Sequence, residues 1–187
     1  MSKSSTETEV RFLEIDKAAL VSKLVALGAV DKGERMLEEV IVYDKELKWR
    51  DGKQLIRLRK DGDRTQLTYK LHDSLQKGES VEIETDVGDL DKAIELLEAI
   101  GFPAYRRQQK KRHTLTLNGV TFDMDTWPRL PTYVELEGES LDQLKKAAAT
   151  VGLDWSKVVF KDARRVIEED YGIPVGHMRW FTFDRLE

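Results

Sequence analysis

The stretch Thr6–Phe12 reads TETEVRF, and it sets a pattern that several later segments repeat. Side chains on a β-strand alternate between two faces, so a strand here places Glu7, Glu9 and Arg11 on one face. The opposite face carries a valine and a phenylalanine that are suited to packing. A strand with two carboxylates and a guanidinium along one side is ordinarily a solvated edge. A single strand of this kind would not indicate a functional site, but the same pattern in several later segments does call for an explanation.

Six later segments show the same alternation. In each of them, charged or hydroxyl side chains fall on one face and apolar side chains on the other, where helices are expected to pack. The residues of the charged face are Arg57 and Arg59, Thr68 and Lys70, Glu82 and Glu84, Lys110 with Arg112, Thr114 and Thr116, Asp123 and Asp125, and Glu135 and Glu137.

Turn and cap signals divide the chain into strands and helices. Asp61–Asp63 and Asn118–Gly119 are hairpin signals, and the second is the strongest in the chain. Three helices are predicted, each with a capping residue twelve positions before a closing glycine. These pairs are Asp16 and Gly28, Asp89 and Gly101, and Ser140 and Gly152. The predicted strands cover residues 6–12, 40–43, 55–59, 66–71, 81–84, 106–117, 120–125 and 132–137.

About eight strands joined largely by hairpins predict an α+β fold, in which an eight-stranded antiparallel sheet closes into a β-barrel with helices packed outside. No linker rich in Pro, Gly or Ser interrupts the chain, so residues 1–187 are expected to form a single domain. Its core would cover about residues 6–171. The apolar tail 172–187 is expected to pack within the chain, and docking on a partner subunit is the alternative.

Composition narrows the class of protein. The chain has 187 residues, of which 35% are charged, and its formal net charge is −4. This balance argues against a general nucleic-acid binder, which normally carries a basic surplus. The absence of cysteine excludes disulfides and thiolate zinc sites. No apolar run has the length of a signal peptide or a membrane span, so a cytoplasmic protein with no membrane partner is expected.

Closure of the sheet would have a chemical consequence. In an open sheet the charged face is simply hydrated, and no ligand is needed. In a closed sheet the same charges line an interior, where unpaired charge is too costly to persist. Arg and Lys recognise phosphate oxygens, and clustered Asp and Glu supply the hard oxygen ligands that Mg²⁺ or Mn²⁺ prefers. The guest implied by closure is a metal-bound polyphosphate.

On these residues the sequence resembles the CYTH, or triphosphate tunnel metalloenzyme, family, from about Glu7 to Tyr171. The family's signature Glu-x-Glu-x-Lys is matched by Glu7, Glu9 and Arg11. Its basic strands are matched by Arg57 and Arg59, by Lys70, and by Lys110 and Arg112. Its aspartate and terminal Glu-x-Glu are matched by Asp125, Glu135 and Glu137.

The resemblance implies an eight-stranded antiparallel tunnel with Mg²⁺- or Mn²⁺-dependent chemistry on triphosphates. The implied metal ligands are Glu7, Glu9, Asp125, Glu135 and Glu137. The implied phosphate-binding residues are Arg11, Arg57, Arg59, Lys70, Lys110 and Arg112. Catalytic roles fall to Arg11 and to Glu82 or Glu84, one of which would hold a second metal or its water. The sequence does not choose between these two glutamates.

The chain departs from the family pattern at two places. Arg11 replaces the signature lysine, and its larger, fork-shaped group bears on turnover more than on phosphate binding. Family members often show Lys-Ser-Tyr near the end, whereas Lys161-Asp162-Ala163 keeps only the lysine. Lys161 is therefore either a contact at the tunnel end or a solvated helix start.

The expected function is a metal-dependent triphosphatase acting on tripolyphosphate, ATP or thiamine triphosphate. A class IV-type adenylyl cyclase, releasing cyclic AMP and pyrophosphate, is one alternative. A non-catalytic domain that binds polyphosphate or nucleotides is another. A monomer or a homodimer is expected. His72, His113 and His177 are scattered, so surface or packing roles are predicted for them.

Overall fold

The computed structural model describes residues 8–51, 54–72 and 80–187. Its strands are β1 (Thr8–Phe12), β2 (Val30–Val42), β3 (Gln54–Asp61), β4 (Arg64–His72), β5 (Ser80–Val87), β6 (Ala104–Leu117), β7 (Val120–Thr126), β8 (Tyr133–Gly138) and β9 (Trp180–Phe181). Its helices are α1 (Lys17–Ala26), α2 (Lys48–Asp51), α3 (Leu90–Ala99), α4 (Leu141–Thr150) and α5 (Ala163–Arg165), the last continued by a π-helical turn at Val166–Asp170. Two 3-10 turns lie at Trp155–Lys157 and Val175–His177.

The strands form one sheet in the order β1-β8-β7-β6-β2-β3-β4-β5. The predicted α+β class and the eight-stranded antiparallel sheet are confirmed. A ninth strand was not predicted: β9, in the tail, pairs with β6 in parallel. The expectation that the tail packs within the chain is met by this pairing.

The prediction that the sheet closes into a barrel is wrong in the part of the chain that the structure describes. The strand order has two ends, β1 and β5, instead of forming a ring. One physical reason lies at Arg11 in β1. Its backbone N–H donates to the carbonyl oxygen of Val159 and its own carbonyl accepts from the Val159 N–H, both at 2.9 Å. The groups through which the middle of β1 would pair with a further strand are therefore in use.

Backbone contacts divide the described residues into two compact units. Unit 1 contains residues 36–110 and 177–187, and unit 2 contains residues 8–35 and 111–176. The long strands β2 and β6 each contribute residues to both units. That the whole chain is a single domain stays a prediction.

In each unit the apolar face of the strands packs on helices, as the alternation predicts. In unit 2, α1 and α4 cover this face, and the buried residues include Val10, Phe12, Phe122, Met124, Val134 and Leu136 from the strands with Leu20, Leu24, Leu144 and Ala148 from the helices. In unit 1, α3 contributes Ile94 and Leu97, which pack with Val40, Val42 and Leu58. This packing leaves the opposite, charged face of each unit for polar chemistry.

The predicted helix starts and stops are confirmed. Side chains of Asp16, Asp89 and Ser140 accept hydrogen bonds from the backbone N–H three residues later, at 3.0, 2.9 and 3.3 Å. Each such cap contributes about 1 kcal/mol to stability. The three closing glycines adopt positive φ, as a helix C-terminus of this type requires.

The predicted hairpin between β6 and β7 is also confirmed. Asn118 and Gly119 adopt φ of 50° and 75°, the left-handed pair that a two-residue turn of this kind needs. This turn sets the register of β6 and β7, in which Arg112 lies opposite Asp125. Among the helices described, none is both long and apolar enough to cross a membrane.

Candidate active site

A buried carboxylate, that of Glu39 in β2, lies among cations in unit 1. Its side chain accepts a hydrogen bond from Arg59 Nε at 2.7 Å and another from Gln108 Nε2 at 2.6 Å, and the residue is 4% exposed. Burial alone would raise the pKa of Glu39, but the positive charges of Arg59 and Lys110 hold that pKa far below its ordinary value. Glu39 is therefore an ionised counter-ion inside a basic site.

Around Glu39, positively charged side chains outnumber negatively charged ones. The buried charged residues that the structure describes in unit 1 are Glu39, Arg106 and Lys110, so two cations accompany one carboxylate. Arg57 and Arg59 add two further guanidiniums, whose side chains are 16% and 18% exposed. We call Arg57, Arg59, Arg106 and Lys110 the cation cluster. A surplus of this kind is suited to binding an anion.

Arg57 is the least satisfied member of the cation cluster. Its Nε is buried and has no hydrogen-bond partner among the residues that the structure describes, and its Nη2 lies 3.7 Å from Glu84 Oε1. Burial, followed by the neighbouring charge of Arg59, lowers the pKa of Arg57 from its ordinary value. An unpaired guanidinium donor away from water is costly, and a phosphate oxygen would satisfy it.

The two glutamates predicted to be catalytic lie on β5 and contact cations or donors of β3 and β4. Glu82 pairs with Lys70 at 2.5 Å between Oε1 and Nζ. Glu84 accepts from Thr68 Oγ1 and from Gln66 Nε2, both at 2.9 Å. Glu82 is thus a counter-ion of Lys70, while Glu84 lies 3.7 Å from Arg57. Their catalytic roles stay predictions.

In unit 2 the charged face is a ladder of carboxylates bound by guanidinium groups. Arg112 donates from Nε and Nη2 to the two carboxylate oxygens of Asp125, both at 2.7 Å, and from Nη1 to Asp123 at 2.6 Å. Glu135 lies 3.6 Å from Arg112 Nη2. Burial alone would lower the pKa of Arg112, but these carboxylates raise it well above its ordinary value. The guanidinium of Arg112 therefore bonds to acidic residues of its own chain.

Arg11 lies in the same ladder. Its Nη2 donates to Glu135 and lies 3.1 Å from Glu9 Oε1, and its Nη1 donates to the carbonyl oxygen of Lys161 at 2.7 Å. The residue is 4% exposed. The Lys161 ammonium instead pairs with Asp170 at 2.6 Å. Arg11 thus joins the acidic ladder to the segment that precedes α5.

The acidic residues exceed the guanidiniums in this ladder. Strand register places Glu9 opposite Glu137, and Glu135 opposite both Arg11 and Asp123. The charged members are the carboxylates of Glu9, Asp123, Asp125, Glu135 and Glu137 and the guanidiniums of Arg11 and Arg112. The carboxylates leave a net negative charge, and their oxygens are the hard ligands that Mg²⁺ and Mn²⁺ prefer. Within the described ranges no three acidic or histidine side chains converge at metal-binding geometry, and Glu7, another predicted ligand, lies outside those ranges.

Sequence reasoning missed several residues of these two sites. Glu39 and Gln108 were not singled out, and neither was Tyr133, which is fully buried on the charged face of β8 opposite Asp125. Trp127 Nε1 donates to the Tyr133 hydroxyl at 2.9 Å. Burial raises the pKa of Tyr133 well above its ordinary value, so its phenol stays neutral. One more step of the alternation, backwards from Glu135, would have placed Tyr133 on this face.

The histidines fall away from both sites where they are described. His113 Nε2 lies 2.7 Å from Asp31 Oδ1, and His177 is exposed. The side chain of His72 lies outside the described residues. The surface or packing roles predicted for the histidines are consistent with the positions of His113 and His177.

Comparison with known proteins gives a family and a fold. The model of the CYTH domain matches residues 5–161. No curated protein sequence matches significantly. Among solved structures, a Pyrococcus horikoshii protein is 26% identical, with 83% of this chain and 95% of that chain covered and a TM-score of 0.69. A candidate adenylate cyclase of Vibrio parahaemolyticus is 12% identical, with 89% and 99% covered and a TM-score of 0.78.

A third similar structure is a candidate adenylyl cyclase of Hippeastrum, for which a dominant triphosphatase activity is described. It is 13% identical, with 89% of this chain and 95% of that chain covered and a TM-score of 0.62. At this level of identity the last two structures show a shared fold.

Proposed function

The chain belongs to the CYTH domain family, and from this premise we propose that it is a cytoplasmic, metal-dependent triphosphatase. Water would attack a phosphoryl group of inorganic triphosphate or of a triphosphate ester, such as ATP or thiamine triphosphate. The phosphoanhydride bond would break, and the leaving phosphate oxygen would take the electron pair. The water oxygen is the nucleophile that forms the new bond to phosphorus, and it loses a proton to a base; in cyclisation a ribose hydroxyl would take the place of water.

The observation that carries this proposal is the cation cluster around Glu39. A triphosphate is highly anionic, and an oxygen nucleophile approaches phosphorus only after that charge is neutralised. Arg57, Arg59 and Lys110 offer this neutralisation from one face of unit 1, where the carboxylates of Glu39 and Glu84 compensate them only in part. Arg57 contributes an Nε donor with no partner in the described chain.

Lys70 would join the phosphate site by exchange of partners. Its ammonium now pairs with Glu82 across β4 and β5. A phosphate oxygen that replaced Glu82 would leave that carboxylate available to accept a proton from water. Glu84, which already accepts from Thr68 and Gln66, is positioned by these bonds and is the alternative acceptor.

The acidic ladder supports metal dependence. A divalent cation, when bound, would neutralise phosphoryl oxygens and lower the pKa of a coordinated water. Glu9, Asp125, Glu135 and Glu137, with Glu7, are the residues that would hold it. Arg112 would fix the orientation of Asp125 through its two parallel hydrogen bonds. A domain that only binds anions has no need of this ladder, which favours an enzyme.

A product assay tests the proposal. The chain is incubated with tripolyphosphate, ATP and thiamine triphosphate in turn, each with Mg²⁺ or Mn²⁺. Release of free phosphate is the expected result, and the substrate with the highest rate names the class. Cyclic AMP with pyrophosphate from ATP would identify a cyclase. Tight binding without any product would identify a non-catalytic binding domain. Either of these results would overturn the proposed hydrolysis.

A further inference from the structure

The tail strand β9 pairs with the part of β6 that carries residues of the cation cluster. The pairing of β7 with β6 begins at Lys111 and runs towards the turn between them. The part of β6 that precedes Lys111 belongs to unit 1, and it pairs with β9. In this pairing Arg107 is in register with Trp180, and Gln108 is in register with Phe181.

Backbone hydrogen bonds fix β9 in this position. The N–H of Arg107 donates to the carbonyl oxygen of Arg179 at 2.9 Å, which ties β9 to β6. The carbonyl oxygen of Glu187 accepts from the N–H groups of Arg179 and Trp180, at 2.7 and 2.9 Å. The N–H of Glu187 donates back to the Trp180 carbonyl oxygen at 3.1 Å. The tail thus folds over on itself and supports β9 from its other side.

Register places the two side chains of β9 on opposite faces of the sheet. Residues that are opposite each other on neighbouring strands point to the same face, and successive residues alternate. Trp180 therefore shares a face with Arg107, and the Arg107 Cζ indeed lies 5.9 Å from the Trp180 ring centre. Phe181 shares the other face with Gln108, which is the charged face of unit 1. Phe181 is fully buried there.

The neighbour of Phe181 on this face, Gln108, links two charged groups. Its Oε1 accepts from Arg106 Nε at 2.7 Å, and its Nε2 donates to Glu39 Oε2 at 2.6 Å. The guanidinium requires an acceptor and the carboxylate requires a donor, so the two bonds together fix the orientation of the amide. Gln108 is only 8% exposed, and this burial protects both bonds from competition by water.

The orientation of Gln108 bears on the cations through Glu39. The Glu39 carboxylate accepts from Gln108 on one side and from Arg59 Nε, at 2.7 Å, on the other. If water entered and Gln108 turned towards it, Glu39 would lose one of these two donors and its fixed position. Arg59, which bonds to Glu39, would then be less restrained before an anion binds. Ordering a mobile side chain on binding lowers affinity.

We propose that Phe181 is a positioning residue of the phosphate site. Its ring excludes water from the hydrogen bonds that join Arg106, Gln108 and Glu39, and so keeps the cation cluster arranged for a polyphosphate. Phe181 acts through Gln108 and does not contact the anion. The inference rests on the proposed function, because it takes the cation cluster as the site of the triphosphate. It gives a role in that site to the tail, which lies beyond the residues that the family model matches.

Hydrogen exchange of the Gln108 side-chain amide tests the exclusion of water without any ligand. The amide signals are recorded by nuclear magnetic resonance on the full ¹⁵N-labelled chain, and Gln108→Met identifies the pair from Gln108. This pair should exchange at least about tenfold faster in Phe181→Ala than in the unmodified chain. Phe183→Ala removes the same ring from a position of the tail that is 42% exposed, and it should leave the rate unchanged. Equal rates in the Phe181→Ala and Phe183→Ala variants would overturn the proposal.

A milder variant guards against loss of the fold. Phe181→Ala leaves a cavity at a buried position and lowers stability, whereas Phe181→Leu keeps a large apolar side chain there. The exchange rate of the Gln108 amide in Phe181→Leu should lie between the rates of the unmodified chain and of Phe181→Ala. If Phe181→Ala does not fold, Phe181→Leu decides the question. A rate in Phe181→Leu equal to that of the unmodified chain would then overturn the proposal.

Calorimetric titration with tripolyphosphate connects the position of Gln108 to binding. Phe181→Ala should bind tripolyphosphate about tenfold more weakly than the unmodified chain, since a charge-assisted hydrogen bond is lost from the arrangement of the cations. Phe183→Ala should bind it nearly as tightly as the unmodified chain. In a hydrolysis assay on the same samples, the effect of Phe181→Ala should appear in KM, with a much smaller change in kcat. Measurements are made at a temperature at which circular dichroism shows every variant to be folded.

Two negative results have different meanings. If the unmodified chain binds tripolyphosphate and Phe181→Ala binds it equally well, the positioning role of Phe181 is wrong and the proposed function stands. If the unmodified chain does not bind tripolyphosphate, the proposed function is wrong, and the role of Phe181 in phosphate binding is wrong with it. The affinity of the unmodified chain therefore separates the two failures.

Discussion

Arg11 donates from Nη1 to the carbonyl oxygen of Lys161 at 2.7 Å, and this bond joins β1 to a segment 150 residues later in the chain. The same guanidinium contacts Glu135 and Glu9. A single side chain thus positions two residues of the acidic ladder and the approach to α5. This arrangement depends on a planar fork, which the lysine of the family signature lacks.

Replacing Arg11 by lysine is expected to have opposite effects on stability and on metal binding. A lysine ammonium cannot reach Glu9, Glu135 and the Lys161 carbonyl together. The free energy of unfolding should therefore fall by about 1 kcal/mol, which lowers the melting temperature by a few degrees. The less restrained carboxylates should bind Mn²⁺ several-fold more tightly, which calorimetric titration measures. Arg164→Lys, whose guanidinium pairs with Glu168, is the control. Unchanged Mn²⁺ affinity in Arg11→Lys would contradict this role.

Glu39→Gln tests the counter-ion of the cation cluster. In the described part of unit 1, Glu39 is the one buried carboxylate, so its loss should lower the free energy of unfolding by about 3 kcal/mol. Glu38→Gln changes an exposed neighbour on the same strand and should be nearly neutral. Tripolyphosphate, which supplies negative charge in place of Glu39, should restore more stability to Glu39→Gln than to the unmodified chain. Thermal unfolding with and without the anion measures both effects.

The pH dependence of stability follows from the same residue. The pKa of Glu39 is lowered in the folded state, so at acidic pH this carboxylate binds fewer protons in the folded chain than in the unfolded chain. Its stabilisation is fully present above the unfolded pKa of about 4.3 and is lost as the pH falls below that value. Urea unfolding between about pH 3 and 6 should show a smaller loss for Glu39→Gln than for Glu38→Gln. Equal slopes for both variants would exclude Glu39 as a source of this pH dependence.

Glu135→Gln and Glu137→Gln should differ in their effects on stability and on Mn²⁺ affinity. Glu135 is buried and contacts Arg11, so its substitution should reduce both metal affinity and stability. Glu137 is half-buried and lies opposite Glu9, so its substitution should weaken Mn²⁺ binding by about tenfold with a smaller loss of stability. Glu139→Gln, two residues further on and exposed, should do neither. If the three variants had the same Mn²⁺ affinity, the prediction that β8 contributes metal ligands would be wrong.

Local patterns predicted a large part of this structure because they depend on neighbours in sequence. Alternation placed Arg57 and Arg59 on the charged face, and the caps and hairpins follow from residues a few positions apart. The pairing of Arg112 with Asp125 could also have been predicted. A two-residue turn at Asn118–Gly119 sets Leu117 opposite Val120, and counting outwards along both strands leads to this pair.

Other features depend on contacts that no local pattern contains. The part of β2 that precedes the predicted strand, residues 30–39, is rich in charge and lacks apolar alternation, so Glu39 was not recognised as a strand residue facing cations. The open edge of the sheet at β1 depends on Val159, far away in sequence, whose backbone bonds to Arg11. The pairing of β9 with β6 likewise involves a tail strand of only two residues. Each of these is a tertiary contact.

The measurement that tests the central claim most directly is the affinity of the chain for tripolyphosphate, by calorimetry, in Arg57→Ala and Lys60→Ala. Arg57 lies in the cation cluster, and its buried Nε has no partner in the described part of the chain, whereas Lys60 is exposed on the opposite face of β3. Arg57→Ala should weaken binding by at least about tenfold, while Lys60→Ala should leave it nearly unchanged. Equal affinities in the two variants would contradict the assignment of the triphosphate to the cation cluster.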